Sequence, residues 1–175
     1  MKKLIALFTA IIIISGCAQQ PEMELIEQSE FEKAVAIVHP KNGSDVSGMV
    51  HFEQTESGVL VKAEINGLTG TKHGFHIHQY GDCTADDGTS AGGHFNPNNN
   101  QHAGPEDMNR HMGDLGNIIA EDGTALLEYV DDEIDLSQII GRGVIVHGGE
   151  DDLESQPSGA AGPRIGCGVI GIQQN

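Results

Sequence analysis

From residue 34 onward the chain never sustains a helical period; short β-branched runs alternate instead with turn residues. The runs fall at 34–39, 48–54, 58–65, 72–79, 115–120, 125–130, 143–147 and 164–172. Asn42-Gly43, Ser57-Gly58, Asn66-Gly67 and Asp122-Gly123 separate several of them, and such dipeptides favour tight reversals. Some runs are apolar throughout rather than alternating, the pattern of strands enclosed on both faces. The 24 glycines and the absence of tryptophan agree with many turns and short elements. The pattern predicts an all-β domain over 34–175, eight antiparallel strands in a Greek-key sandwich or barrel. Two stretches, 80–114 and 148–163, interrupt the rhythm with long polar, glycine-rich sequence. Ordered loops of that length in a small domain usually carry function.

The segment ahead of the domain reads differently. Lys2 and Lys3 precede an apolar stretch over 4–14, well short of the about 20 residues a spanning helix needs. A charged start, a short apolar centre and the small Ser15 and Gly16 describe a secretory signal over 1–16. Ile14-Ser15-Gly16-Cys17 resembles the lipobox of bacterial lipoproteins, which implies cleavage before Cys17 and lipid on its sulfur. An ordinary cleaved signal beside an incidental cysteine is the alternative. Residues 17–33 are polar and acidic and read as a tether. The expectation is an exported domain, lipid-anchored at a bacterial cell envelope and lying outside the cytoplasm.

Export places Cys83 and Cys167 in an oxidising compartment. Taken alone they allow one intrachain bridge, intermolecular pairing or two free thiols. The bridge would close a loop of about 85 residues and contribute about 4 kcal/mol in the chain-entropy picture. The formal charge is −17, from nine basic and 26 acidic residues, with no lysine or arginine cluster. Nucleic acid is thereby disfavoured as a partner, because binding it requires clustered cations.

Six of the nine histidines share one pattern. His76 and His78 flank Ile77, and residues two apart on a strand face the same side. His94, His102, His111 and Asp114 follow at intervals of 8, 9 and 3 across the first long loop, and His147 ends the run Val144-Ile145-Val146. Imidazole suits copper and zinc alike, and three histidines with one carboxylate can close a tetrahedral zinc site. His39 and His51 read as ordinary strand residues.

Gly74-Phe75-His76-Ile77-His78 with Gly81-Asp82 resembles the first copper-binding strand of copper/zinc superoxide dismutases. Gly92-Gly93-His94-Phe95-Asn96-Pro97 and Arg110-His111-Met112-Gly113-Asp114-Leu115-Gly116-Asn117 are similar to its bridging-histidine segment and the end of its zinc loop. Gly141-Arg142, Val144–His147 and Gly162-Pro163-Arg164-Ile165-Gly166-Cys167 continue the resemblance, which covers about 34–175. Cys83, five residues after His78, is closer to the bacterial pattern.

The resemblance implies a superoxide dismutase that converts superoxide to oxygen and hydrogen peroxide by copper redox cycling. Each chain would hold one copper, on His76, His78, His94 and His147. It would also hold one structural zinc, on His94, His102, His111 and Asp114, with His94 bridging both. Cys83 and Cys167 would form a disulfide, Asp151 would link ligands of the two metals, and Arg164 would guide the anion. His73 sits where the family often carries a structural histidine. Family members assemble in different ways, a homodimer among them. Two alternatives stay open at this point: a copper-delivery lipoprotein without turnover, and a zinc-stabilised interaction module. The second leaves His76, His78, His147 and Arg164 unexplained.

Overall fold

The computed structural model describes residues 31–174. The expected signal, lipidation at Cys17 and most of the tether lie outside these residues. Eight strands form, each within one residue of its expected limits: β1 (Lys33–Pro40), β2 (Ser47–Thr55), β3 (Gly58–Asn66), β4 (Lys72–His78), β5 (Asp114–Glu121), β6 (Thr124–Asp131), β7 (Gly143–His147) and β8 (Arg164–Ile172). They close into a barrel in the order β1-β2-β3-β6-β5-β4-β7-β8. The β3–β4 and β6–β7 connections therefore each pass over two strands, which is the Greek-key crossing. Two short helices went unanticipated, a 3₁₀ turn at Thr89–Ala91 and α1 (Leu136–Ile139). Asp135 caps α1, its side chain accepting from Ser137 N–H at 2.9 Å.

Two kinds of strand make the wall. In β3, Val59, Val61, Ala63 and Ile65 are buried while Lys62 and Glu64 face solvent. This is the alternation of a sheet covered on one side. In β7 all five residues are buried. Val144 and Val146 join the main core with Phe52, Phe75, Ile77 and Ile118. Ile145 points the other way and packs with Ala91, Cys167 and Cys83. Burying such side chains stabilises the fold by roughly 1.5–3 kcal/mol each. The turn at Asp122-Gly123 joins β5 to β6 with both residues at positive φ, 50° and 82°, the two-residue hairpin geometry that Asp-Gly suits.

The outward face of β4 and β7 is covered by the two long loops, residues 79–113 and 148–163. The bond between Cys83 and Cys167 ties the first loop to β8. Arg110, 3% exposed, ties the same loop to the end of β6: its Nη2 donates to Asp131 Oδ1 at 2.6 Å. Its Nη1 donates to the His111 carbonyl, and Asp131 Oδ1 also accepts from the Glu133 and Ile134 amides.

Candidate metal centre

Phe75 and Ile77 point into the barrel, so the intervening His76 and the following His78 point outward beneath the loops. Pairing sets His76 opposite Ile145 on β7 and opposite Asp114 on β5. The β4–β5 register shifts between Gly74 and His76, a bulge that re-aims the side chains beside it. His78 makes an isolated bridge with His94, bringing the loop histidine to the strand. His147, at the end of β7, pairs across the sheet with Arg164 at the start of β8. Asp114 is the first residue of β5 rather than the last of the loop.

Two groups result. His76, His78, His94 and His147 each offer one ring nitrogen, all within 4.8 Å of one another. His94, His102, His111 and Asp114 form a second group by the same measure, and His94 belongs to both. Every one of these residues is buried.

In the first group each ring is held by one nitrogen and has the other bare. His76 Nε2 donates to Asp151 Oδ2 at 2.6 Å, and His78 Nδ1 to the Gly92 carbonyl at 2.9 Å. His94 Nδ1 donates to Asp114 Oδ1 at 2.6 Å, and His147 Nδ1 to the Gly162 carbonyl at 3.1 Å. The opposite atoms, His76 Nδ1, His78 Nε2, His94 Nε2 and His147 Nε2, are buried without a hydrogen-bond partner. An unsatisfied buried polar atom costs about 1–3 kcal/mol. Four converging in one pocket make sense if a cation satisfies them together. The donor set, four imidazole nitrogens, suits copper, and the second, three imidazoles with a carboxylate, suits zinc.

Proton affinities separate the groups. Burial pushes the His147 imidazole down to about 3, helped by the neighbouring His76. Burial pushes His94 down to about 4, more than Asp114 restores. His78 is lowered well below its ordinary value by burial and by His94 and His147, and His76 is lowered by burial against the pull of Asp151. These rings are neutral near pH 7 and keep a lone pair for a metal. His102 goes the other way: burial lowers it, but Asp114 and Asp151 outweigh burial and raise it to about 9. Its Nδ1 lies 3.1 Å from Asp114 Oδ1 without hydrogen-bond geometry, while its Nε2 donates to Asp151 Oδ1 at 2.9 Å. For Asp114, burial acts upward, yet contacts with His102, His111 and His94 hold the carboxyl far below the usual carboxylate range.

Asp151 thus joins the two groups, one oxygen on His76 and the other on His102. Sequence reading missed what holds Asp151. Asn117 of β5 bonds its main chain in both directions, at 2.8 and 2.9 Å. A polar residue inside the apolar run Leu115–Ala120 was the available signal.

Arg164 Nη1 donates to the Gly88 carbonyl at 2.7 Å and Nη2 to the Gly92 carbonyl at 2.6 Å. Gly92 is the same carbonyl that holds His78, so guanidinium and imidazole share one acceptor. The remaining histidines stand apart. His73 Nδ1 donates to the His147 carbonyl at 2.9 Å, His51 pairs with Gln173, and His39 is exposed opposite Cys167.

Barrel and pockets together define a class: a closed β-barrel metalloprotein with two adjoining histidine-rich clusters roofed by loops. A family model for copper/zinc superoxide dismutase matches residues 46–170. The chain is 45% identical over 152 residues to an extracellular Cu-Zn superoxide dismutase of Brugia pahangi, spanning 79% of this chain and 75% of that one. It is 48% identical over 150 residues to a Cu-Zn superoxide dismutase A of Xenopus laevis, spanning 80% of this chain and 97% of that one. The crystal structure of the clock protein EA4 superposes with a TM-score of 0.76 at 37% identity, covering 84% of this chain and 98% of that one. The chain belongs to the copper/zinc superoxide dismutase family. Copper and zinc are the family's cofactors, and both clusters fit them.

Proposed function

We propose that this chain is an exported superoxide dismutase, turning two superoxide anions and two protons into oxygen and hydrogen peroxide. The observation that carries this reading is the set of four bare, convergent ring nitrogens, one of them on a histidine whose other nitrogen faces the second cluster. His76, His78, His94 and His147 would hold copper; His94, His102, His111 and Asp114 would hold zinc. Copper supplies one-electron redox chemistry when bound, and zinc supplies fixed positive charge.

The chain's own residues do the rest. With zinc held at Nδ1, His94 Nε2, the bare nitrogen turned toward His76, His78 and His147, would be the atom that takes a proton from solvent and passes it to the departing peroxide. Asp151 and the Gly92 and Gly162 carbonyls fix which nitrogen of His76, His78 and His147 is free, because a ring that donates at one nitrogen presents its lone pair at the other. Arg164, two carbonyls setting its plane, presents a permanent positive charge to an incoming anion. The loop over 148–163 contributes Glu150, Asp151, Asp152 and Glu154 and no lysine, so anion capture rests on Arg164.

The same reading covers the rest of the chain. Residues 1–16 are a lipoprotein signal, Cys17 carries lipid at a bacterial envelope and 17–33 tether the catalytic domain over 34–175. An extracellular relative supports export. Ile37 and Val169, each 44% exposed, and Ile172, 60% exposed, lie on the adjacent strands β1 and β8 and support a homodimer.

The test is metal content and superoxide removal on the full chain, loaded with zinc and then copper. Rapid removal that requires copper, and that drops in Arg164→Ala with both metals retained, is expected. Stoichiometric metals without rapid removal would refute the enzyme; an Arg164→Ala rate equal to the parent's across salt concentrations would refute the guide. Palmitate labelling that vanishes in Cys17→Ser checks the anchor.

A further inference from the structure

Gln156 sits on the loop over 148–163 as an exposed residue, yet its side-chain amide is fully engaged. Oε1 accepts from the His102 amide at 2.8 Å, and Nε2 donates to the His102 carbonyl at 2.8 Å and to the Glu154 carbonyl at 3.1 Å. His102 lies in 101–104, which has no regular secondary structure, and its main chain has no other hydrogen-bond partner among the described residues. One side chain therefore supplies the pair of main-chain bonds that a neighbouring strand supplies elsewhere in the barrel. We propose that Gln156 is a positioning residue of the zinc pocket, a clamp that fixes the His102 backbone so that its ring stays aimed at the second cluster. This rests on the assignment of His102 to zinc made above.

The same loop grips His102 at two further points. Asp151 takes the ring at Nε2. Gly159 forms the roof, at φ +63°, where a Cβ would stand 1.7 Å from Asp151 Oδ1 and 2.6 Å from His102 Nε2. Only glycine fits that approach. Asp151 fixes the ring's tautomer, and, one residue on, the Ala103 amide donates to Asp114 Oδ2 at 3.2 Å. Gln156 holds the His102 main chain itself and ties it to the second loop, so its loss lets zinc leave faster.

The experiment measures zinc release from the full chain, loaded with zinc and copper, into excess chelator, with His102 amide exchange followed in parallel. In Gln156→Ala, zinc release quickens about 10- to 100-fold, the range expected for a group that supports a ligand. The His102 amide loses protection, and copper release stays at the parent rate. Gln156→Glu keeps the acceptor, lacks the donor and falls between. Cobalt placed in the zinc pocket reports the same loosening as a changed d–d spectrum in Gln156→Ala. Parent-like zinc release in Gln156→Ala overturns the clamp, provided the parent binds zinc and His102→Ala does not. A parent that takes up no zinc at His102 overturns the zinc assignment and the clamp with it.

Discussion

The first cluster takes three of its four side chains from strands and the second takes three of its four from a loop, and the difference runs through their chemistry. His76, His78 and His147 stand on β4 and β7, in a wall fixed by the core behind it. Their rings are dry, neutral and each held by one acceptor. His102 and His111 belong to the long loop between β4 and β5, and with His94 they gather around Asp114 through protons as well as geometry. A strand-built pocket is ready before its ion arrives, whereas a loop-built pocket is shaped in part by its occupant.

The largest expected effect separates the two directly. His147→Ala lowers superoxide removal by more than about 100-fold, beyond what loss of a merely supporting group does, while zinc uptake persists. His111→Ala does the reverse to metal content, losing zinc first. Metal analysis of the two variants decides; loss of both metals from either one would mean that the pockets form a single unit.

Next in size is the link between loop and barrel. Arg110→Ala leaves Asp131 buried without a counter-charge, held only by the Glu133 and Ile134 amides and the Tyr129 hydroxyl, and lowers stability by up to about 3 kcal/mol. Denaturant unfolding in the presence of chelator measures it. Zinc affinity falls in this variant more than copper affinity, because Arg110 also holds the His111 carbonyl.

Acidity sharpens the contrast further. His102 keeps its proton up to about 9, so zinc must displace that proton and its apparent affinity climbs about tenfold per pH unit from neutrality toward that value. Copper uptake displaces no proton from His76, His78 and His147 above about 6.5, their rings being lowered by burial. The further proton released when both pockets fill would come from His94, whose ring must give up its remaining hydrogen to serve both. Calorimetric titration in buffers of different ionisation enthalpy counts the protons released with each metal. In the chelated chain, the stability contributed by the raised His102 is complete below about 6.5 and disappears as pH rises through about 9. His94 and His147 act with the opposite sign: they take up protons only on unfolding, so stability drops as pH falls below about 6.5.

The smallest effect concerns the mouth of the site. Asp87 is exposed next to Gly88, whose carbonyl Arg164 holds, and the two charges attract. Asp87→Asn raises the low-salt rate by less than about tenfold, and the gain fades as salt shortens the screening length. A rate that falls instead would make Asp87 part of the orienting apparatus.

The strands were legible because alternation such as Val61-Lys62-Ala63-Glu64-Ile65 and turn pairs such as Asp122-Gly123 act over a few residues, where sequence and geometry are tightly coupled. Helix α1 was not, since four residues are too few to show a period. The histidine grouping was legible from spacing on β4 and along the loop, and the structure brings those residues together. What holds them was less so. Asn117, Gln156 and the Gly92 carbonyl act through the path of loops, which residue types do not encode locally. Asp151 stood among neighbouring acids, and only family resemblance distinguished it.

Strand β8 pairs with β1, so the ring of eight has no edge. Were the loops to loosen before metal binds, an open sheet exposed then would offer unpaired amides to a neighbouring copy. Here the wall is paired internally along most of its circumference, and between β5 and β6 the pairing is confined to Ala120 with Ala125 and Glu121 with Thr124. Closure thus acts as protection against strand-by-strand fibre growth, a safeguard for molecules that have yet to acquire their ions.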